Sequence, residues 1–503
     1  MNVTLIQDEI PCFALALHTA LTREETLEMI VPDACPDIVE IVDTDAAVRL
    51  RGKECAEGCV TLHGAVPCSV LYRPEGEQGL RQLRAELPIQ FTADLEGVTG
   101  QSRCVLLPRV TLAETRAVNP RKILIRVGLS FDLTAYEPTL LRCCTGVEDR
   151  ETLGIEARTE SYSGTFAVHV GEKVFPYADE VQIPGSKPPM EELLRARCHP
   201  FCTESRLLGG KLVFKGGTAI QLLYLSPEGQ LCTVDFELPF SQIADVGPVA
   251  EDADFQVDCV VTGSEIYPLD GEGRGLSVEL ELLAQIVVRE NRKLSVVTDA
   301  YSIRHAGAPE FETYSIPQLV ERGLRRQTVR EVIETAALPQ GICDVRAYVS
   351  QVIASGKELT AELRLAVLYQ TEEGGFAQAL RQVAVKCPVE READTLCVAG
   401  CNLPEVDASA APGGVEVRLG VDFQLLLLRQ SRVFGLSAFA LNTDQPLDQE
   451  GQPSIVLRQM AQGETLWEIA KTYLTTQAEI EQANGLEGGP ASPGQMLLIP
   501  RKR

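Results

Sequence analysis

Three long segments of the chain alternate apolar and polar residues. Ile123, Ile125, Val127, Leu129, Phe131 and Leu133 are separated by Arg126, Ser130 and Asp132 among others. Leu276, Val278, Leu280, Leu282, Ala284 and Ile286 alternate with Ser277, Glu279, Glu281 and Gln285. Val415, Val417, Leu419, Val421, Phe423 and Leu425 alternate with Glu416, Arg418, Asp422 and Gln424. A period of two puts one set on a core face and the other in water, which predicts three β-strands. An apolar-apolar-Tyr triplet lies upstream of each: Val70-Leu71-Tyr72, Leu222-Leu223-Tyr224 and Val367-Leu368-Tyr369. The tyrosines are 152 and 145 residues apart, and the steps from them to Phe131, Ala284 and Phe423 are 59, 60 and 54. Landmarks that keep one order and similar spacing define an internal repeat.

Each triplet runs into turn chemistry, namely Arg73-Pro74-Glu75-Gly76, Ser226-Pro227-Glu228-Gly229 and Glu372-Glu373-Gly374-Gly375, as a hairpin loop would. Glu86-Leu87-Pro88-Ile89-Gln90-Phe91 follows the first and Glu237-Leu238-Pro239-Phe240 the second, with the weaker Val383-Ala384-Val385-Lys386-Cys387-Pro388 after the third. Each unit is long enough to be a domain, so the pattern predicts tandem domains rather than solenoid turns. The expected fold class is mainly β, with three tandem sandwiches or open barrels at 1–150, 170–304 and 318–441. A short helix is expected to open each unit, at Asp37–Val42, Met190–Arg197 and Thr328–Thr335. Gly, Ser and Pro clusters mark linkers at 150–188 and 305–317. Residues 442–453, rich in Asp, Gln, Gly and Pro, read as a flexible tether.

After the tether the pattern changes. Ser454 to Met460 reads as a strand. Thr465-Leu466-Trp467-Glu468 and Thr476-Gln477-Ala478-Glu479 are capping boxes, each opening a short helix. Asn484-Gly485 stops the second helix, and Pro493-Gly494-Gln495 turns into the strand Met496 to Pro500. The expected order over 454–503 is β-α-α-β. This segment resembles the LysM domain through Gly463 to Ala470, Ile480, Ala483 to Leu486 and Pro493 to Pro500, with Glu464 where Asp is usual and an extension over 487–491. The resemblance implies a groove that binds N-acetylglucosamine-containing glycans. Carried over, Gly463, Glu464, Thr465 and Leu466 line one side, and Leu486, Ser492, Pro493 and Gly494 the other. Trp467 reads as core or rim rather than as a sugar platform.

Composition narrows the function. Lys plus Arg is 46 and Asp plus Glu 71, a net charge of −25. A nucleic-acid binder needs a basic face, so this balance excludes that class, and it equally disfavours a polybasic membrane anchor. Aromatic content is 5% with one Trp, too little for base-stacking platforms. No stretch is apolar enough over its length to span a bilayer, which predicts no integral membrane contact. Met1 to Glu9 lacks the basic start of a signal peptide, so the expected compartment is the cytoplasm. In that setting the 16 Cys read as reduced thiols in apolar segments.

The triplicated pattern with one C-terminal LysM resembles the SPOCS-domain spore-coat morphogenetic proteins of spore-forming Firmicutes. The resemblance rests on the opening segment, the apolar-apolar-Tyr strand, the Glu-Leu-Pro segment and the alternating strand, over roughly 30–440. It implies a non-enzymatic scaffold in the mother cell at the forespore surface, whose LysM module docks on the morphogenetic ATPase of the coat basement layer. The alternative is a peptidoglycan-binding protein that tethers the β repeats to cell wall or cortex.

Motifs for other chemistry are missing or weak. Cys55-x3-Cys59-x3-His63, Cys198-His199 with Cys202, and Cys397 with Cys401 fall at different points of their repeats and lack matched halves, so no metal site is expected. Gly271-x-Gly273-x-Gly275 precedes a strand, which favours a hairpin loop over a phosphate cradle. There is no P-loop, His-Glu-x-x-His or Gly-x-Ser-x-Gly, and paired acids such as Glu24-Glu25 and Glu191-Glu192 read as solvated faces. No cofactor and no catalytic residue are expected.

Overall fold

The computed structural model describes residues 1–77, 79–269, 271–447, 453–486 and 491–501. It is mainly β, with several antiparallel sheets. The strands run, in chain order, β1 (Leu5–Ile30), β2 (Ile38–Ala46), β3 (Arg49–Ala56), β4 (Cys59–Pro74), β5 (Arg81–Asp94), β6 (Arg103–Asn119) and β7 (Lys122–Val147). A helical turn, α1 (Arg150–Leu153), leads to β8 (Ile155–Gln182), β9 (Glu192–Leu208), β10 (Lys211–Leu225), β11 (Leu231–Asp245), β12 (Asp254–Pro268) and β13 (Gly275–Ser302). Then come β14 (His305–Glu334), β15 (Pro339–Ser355), β16 (Glu358–Thr371), β17 (Phe376–Pro388), β18 (Thr395–Ala411) and β19 (Gly414–Pro446). The C-terminal segment is β20 (Ile455–Gln459), α2 (Leu466–Tyr473), α3 (Gln477–Asn484) and β21 (Met496–Pro500).

Two sheet types recur along the chain. The first pairs a long opening strand with a long closing strand and lays a third beside the latter: β1-β7-β6, β8-β13-β12 and β14-β19-β18. The second is a three-stranded meander, β9-β10-β11 and β15-β16-β17. In its first occurrence the edge is split, so that β2 and β3 pair with successive halves of β4, while β5 takes the other edge. The alternating segments read from the sequence are the cores between the two sheets. Ile123, Ile125, Val127, Leu129, Phe131 and Leu133 face Leu62, Val70, Tyr72 and Leu87 in one cluster, and the second and third alternating segments do the same with Tyr224 and Tyr369.

The three landmark tyrosines are buried on the meander's central strand. A buried phenol needs a partner for its hydroxyl. Tyr72 donates to the Pro36 carbonyl (3.3 Å) and Tyr224 to the Pro188 carbonyl (2.9 Å), each 36 residues upstream. The turn that follows each tyrosine holds a glycine at positive φ, Gly76 (+75°), Gly229 (+74°) and Gly374 (+81°), a conformation a Cβ disfavours.

Three expectations are corrected. The segments read as opening helices are strands: Ile38–Ala46 and Glu192–Leu208 are meander edges, and Thr328–Thr335 lies in β14 apart from its last residue. Their backbones pair with a neighbouring strand instead of bonding within the segment. The linker regions 150–188 and 305–317 are largely β8 and β14, and only the stretch after Gln182, with Pro184, Gly185, Ser186 and Pro188, is a loop. Of the expected tether, 442–446 continues β19, and 448–452 lies outside the described residues.

The repeats meet in several places, among them two apolar clusters drawn from all three. Far from the meanders, the long strands pack on one another: Ile10, Cys12 and Cys143 meet Phe166, Leu294 and Val296, and Tyr314, Ile316 and Val433. The N-terminus joins the end of β19, where the Met1 ammonium donates to the Leu441 carbonyl (2.7 Å) and Asn2 bridges Ala440. At the other place the three meanders converge on Leu71, Leu223 and Leu368, the residues just before the landmark tyrosines.

Charge surrounds that apolar hub. Opposite Leu71, Leu223 and Leu368 in the strand register stand Asp43, Arg195 and Asp344, and two residues on stand Asp45, Arg197 and Arg346. Arg195 donates to Asp43 (2.8 Å) and Asp344 (3.2 Å), and Arg197 to Asp45 (2.6 Å) and Asp344 (2.5 Å). Arg346 holds Asp43 with both terminal nitrogens, one at 2.7 Å, and also the Thr44 carbonyl. Tyr348 donates to Asp45 and Gln378 to Asp43. Side-chain exposure runs from 0% at Asp43 to 12% at Arg197, so this is a buried network of three acids and three bases. Burial alone would raise the carboxyl pKa of Asp45 and Asp344. The guanidinium of Arg197, with Arg195 and Arg346, outweighs it and holds both well below the usual carboxylate range.

Removing one partner from a buried ion pair strands the others and costs about 3–5 kcal/mol. Asp43→Ala, which leaves Arg195 and Arg346 short of an acceptor, is expected to cost that much in urea unfolding; a loss below about 1 kcal/mol would mean the network is energetically idle. The sign for pH follows from the depressed pKa of Asp45. Its contribution is fully present above the unfolded carboxyl value of about 3.9 and is lost as pH falls from there through the folded value. The stability gap between wild type and Asp45→Asn should therefore stay level from pH 7 to about 5 and narrow only below about pH 4.

Candidate functional site

The C-terminal segment folds as its caps dictate. Thr465 Oγ1 accepts the Glu468 N–H (3.3 Å) while Glu468 accepts the Thr465 N–H (2.9 Å). Thr476 and Glu479 make the same reciprocal pair for α3. Gly485, at φ +63°, closes α3. Asn484 does more than stop the helix: its amide donates to the Leu498 carbonyl (2.6 Å) and accepts the Leu498 N–H (2.7 Å), which locks α3 to β21. β20 pairs β21, and Met460, Leu466, Ile469, Ile480, Leu497 and Ile499 fill the small core.

The eight groove residues expected from the sequence fall in three adjoining segments. Gly463, Glu464 and Thr465 form the loop into α2, with Gly463 at φ +82°; Leu466 is buried beneath them. Ser492, Pro493 and Gly494 form an exposed turn before β21, pinned by the Ser492 N–H to Gln495 Oε1 (3.0 Å) and by Gly494 at φ +87°. The loop and the turn are tied together, since the Gly494 N–H donates to the Met460 carbonyl and the Met460 N–H to the Gln495 carbonyl, each at 2.9 Å. Leu486 packs half-buried against the same core. Glu464 is committed: its carboxylate accepts from Arg458 (2.5 Å) and from the Ala461 N–H (3.2 Å). Of the extension at 487–491, residues 487–490 lie outside the described residues, and Ala491 is buried in the small core.

A feature beyond the reach of sequence reading is where this segment sits. The indole of Trp467 points away from the groove toward the end of β13. Its Nε1 donates to Asp299 (2.7 Å), and its ring meets Tyr301 edge-on at 5.0 Å. Lys471, one turn further along α2, pairs with the same Asp299 (2.7 Å), and the Tyr301 hydroxyl donates to the Thr475 carbonyl (2.7 Å). Arg158 of β8 lies 5.9 Å from the indole ring. The back of α2 is thus docked on the second repeat by a charge-assisted pair and an aromatic contact, while Gly463–Thr465 and Ser492–Gly494 stay on the open side.

Among the described residues, no group of three or more His, Cys, Asp or Glu is placed to hold a metal ion. No helix among them is long and apolar enough to cross a membrane.

The architecture is that of tandem β modules carrying a small βααβ binding module. Comparison with known families gives both parts a name: the chain carries two copies of the SipL SPOCS domain, over residues 37–115 and 189–266, and a LysM domain over residues 461–500. No curated protein and no solved structure matched. SipL SPOCS domains belong to a family of structural proteins of spore-coat assembly, and LysM domains are associated with glycan binding. The matched SPOCS stretches cover the first two meanders and run into the strand after each, β2 to β6 and β9 to β12.

Trp467 is the single tryptophan, so its emission reports the dock directly. Asp299→Ala removes the acceptor of both Trp467 and Lys471, a loss of about 1.5–3 kcal/mol for hydrogen bonds to a charged group. Its fluorescence should shift to the red and become more open to acrylamide quenching, with the LysM core still folded by its own contacts. Unchanged emission and quenching would show that Asp299 does not hold the module.

Proposed function

We propose that this chain is a non-enzymatic scaffold of spore-coat assembly, acting in the mother cell at the forespore surface, and that its LysM groove docks on the morphogenetic ATPase of the coat basement layer. The carrying observation is the anchored LysM module. With Trp467 and Lys471 held by Asp299, the module presents one face, made of Gly463 to Thr465 and Ser492 to Gly494, at a set orientation to the SPOCS body. A third SPOCS-like unit is part of this reading. Strands β14 to β19 repeat the order of the first two units, with Tyr369 at the landmark position and a core of the same make-up.

The choice of a protein over a glycan rests on the chemistry of the face. None of Gly463, Glu464, Thr465, Leu466, Leu486, Ser492, Pro493 and Gly494 is aromatic, and the nearby Trp467 is spent on Tyr301 and Asp299. Sugar rings favour an aromatic platform. A shallow face of backbone groups, a proline and small side chains suits a protein surface better. Peptidoglycan binding is the alternative reading, supported by the LysM match itself.

The test is a pull-down from sporulating-cell lysate with the full-length chain, with purified sacculi as competitor. The scaffold reading expects the basement-layer ATPase to be retained, not to be displaced by sacculi, and to be lost with Ser492→Arg in the exposed turn. Retention of sacculi alone, abolished by the same substitution, would replace it with the glycan reading.

A further inference from the structure

Two thiols of the first unit face each other across its two sheets. Cys55 on β3 and Cys104 on β6 bring their Sγ atoms to 3.1 Å. Cys104 is buried in the core and Cys55 is half-buried at its edge. Lys53 lies two residues before Cys55, on the same face of β3. Its ammonium is almost wholly buried, contacts the Cys104 carbonyl and Gln285, and pairs with Glu172 of β8 at 2.7 Å. Burial lowers the Lys53 pKa and Glu172 opposes it, so the amine is held as one half of an ion pair beside two touching thiols, one of which reaches the surface.

We propose that Cys55 and Cys104 form a thiol–disulfide exchange site for low-molecular-weight disulfides such as glutathione disulfide. The product is an internal disulfide that staples the meander to the long-strand sheet of the first unit. The Cys55 thiolate attacks one sulfur of the reagent, the reagent's S–S bond breaks, and its other half leaves as a thiol after taking up a proton. Cys104 then gives up its proton and attacks Cys55 Sγ, which expels the second half as a thiol. Two protein thiols are oxidised, and their two electrons and two protons leave on the reagent.

The roles follow from the surroundings. The Cys55 thiol is held down to about 7, first by its hydrogen bond with Cys104 and then by Lys53 and Arg103, against burial and Glu172. Cys104 is pushed up, first by that same bond and then by burial. Cys55 is thus the attacking sulfur and Cys104 the resolving one. The second unit supplies an internal control. Cys202 on β9 and Cys259 on β12 also lie against one core, but burial raises both, Cys259 to about 12, and neither has a buried lysine in recorded contact with it.

The test treats the full-length chain with glutathione disulfide, blocks remaining thiols with an alkylating agent, and maps peptides by mass spectrometry. The Cys55–Cys104 cross-link should form first, with Cys202 and Cys259 still alkylated. Its rate should climb with pH through about 7, and Lys53→Gln should slow it several-fold at neutral pH. A glutathione adduct that persists on Cys55 with Cys104 alkylated would overturn the proposal. So would a Cys202–Cys259 link that forms as fast. The wild-type map decides between these outcomes even if the Lys53 variant folds poorly.

Discussion

Six buried charges at the convergence of the three meanders constrain everything around them. Taking an isolated carboxylate or guanidinium out of water costs several kcal/mol, so none of the strands that carry them could be buried alone. Each edge strand offers the same two positions to its neighbours, but with different charge: Asp43 and Asp45, Arg195 and Arg197, Asp344 and Arg346. The first strand brings two negative charges, the second two positive ones and the third one of each, so the assembled set is neutral. Two copies of the first strand would bury four carboxylates, and two of the second would bury four guanidinium groups. Tandem repeats of similar sequence risk docking with the wrong copy. Here the apolar hub of Leu71, Leu223 and Leu368 is nearly symmetric and supplies little discrimination. The surrounding charges supply it.

This network also explains which parts of the fold were legible in the sequence. The alternating core strands, the landmark tyrosines and the hairpin glycines were readable because their partners lie within the same unit and the period of two is local. The capping boxes at Thr465 and Thr476 were readable for the same reason, since a cap is complete within four residues. The edge strands were misread as helices. In a short window, Asp37 to Val42 and Met190 to Arg197 mix charged and aliphatic residues without clear alternation, and the partners that give Asp43 or Arg195 its meaning lie about 150 to 300 residues away. Gly and Pro in 150–188 and 305–317 suggested linkers, yet most of both stretches belongs to strands longer than their own unit, which leave the sandwich to pack on the other repeats.

The candidate site divides along the same line. The groove loops follow from turn chemistry and from the family pattern, and the structure ties those loops together through backbone bonds. The dock does not follow from either. Trp467 read as core or rim, and it is buried. Its acceptor Asp299 sits on a strand of the second unit, preceded by an ordinary alternating sequence that signals no partner.

Anchoring changes how the LysM module would work. A module on a free tether gains avidity from effective concentration but imposes no direction on what it binds. A module fixed by its back to β13 keeps its open face at one angle to the β units. Those units are themselves joined by the charge network, so the face keeps one orientation to all three. On the proposed scaffold reading, direction matters as much as affinity, because a fixed face would meet each docked protein in the same way. The dock at Asp299 and the hub at Asp43 are therefore parts of one device: the hub makes the three units a single body, and the dock gives that body a front.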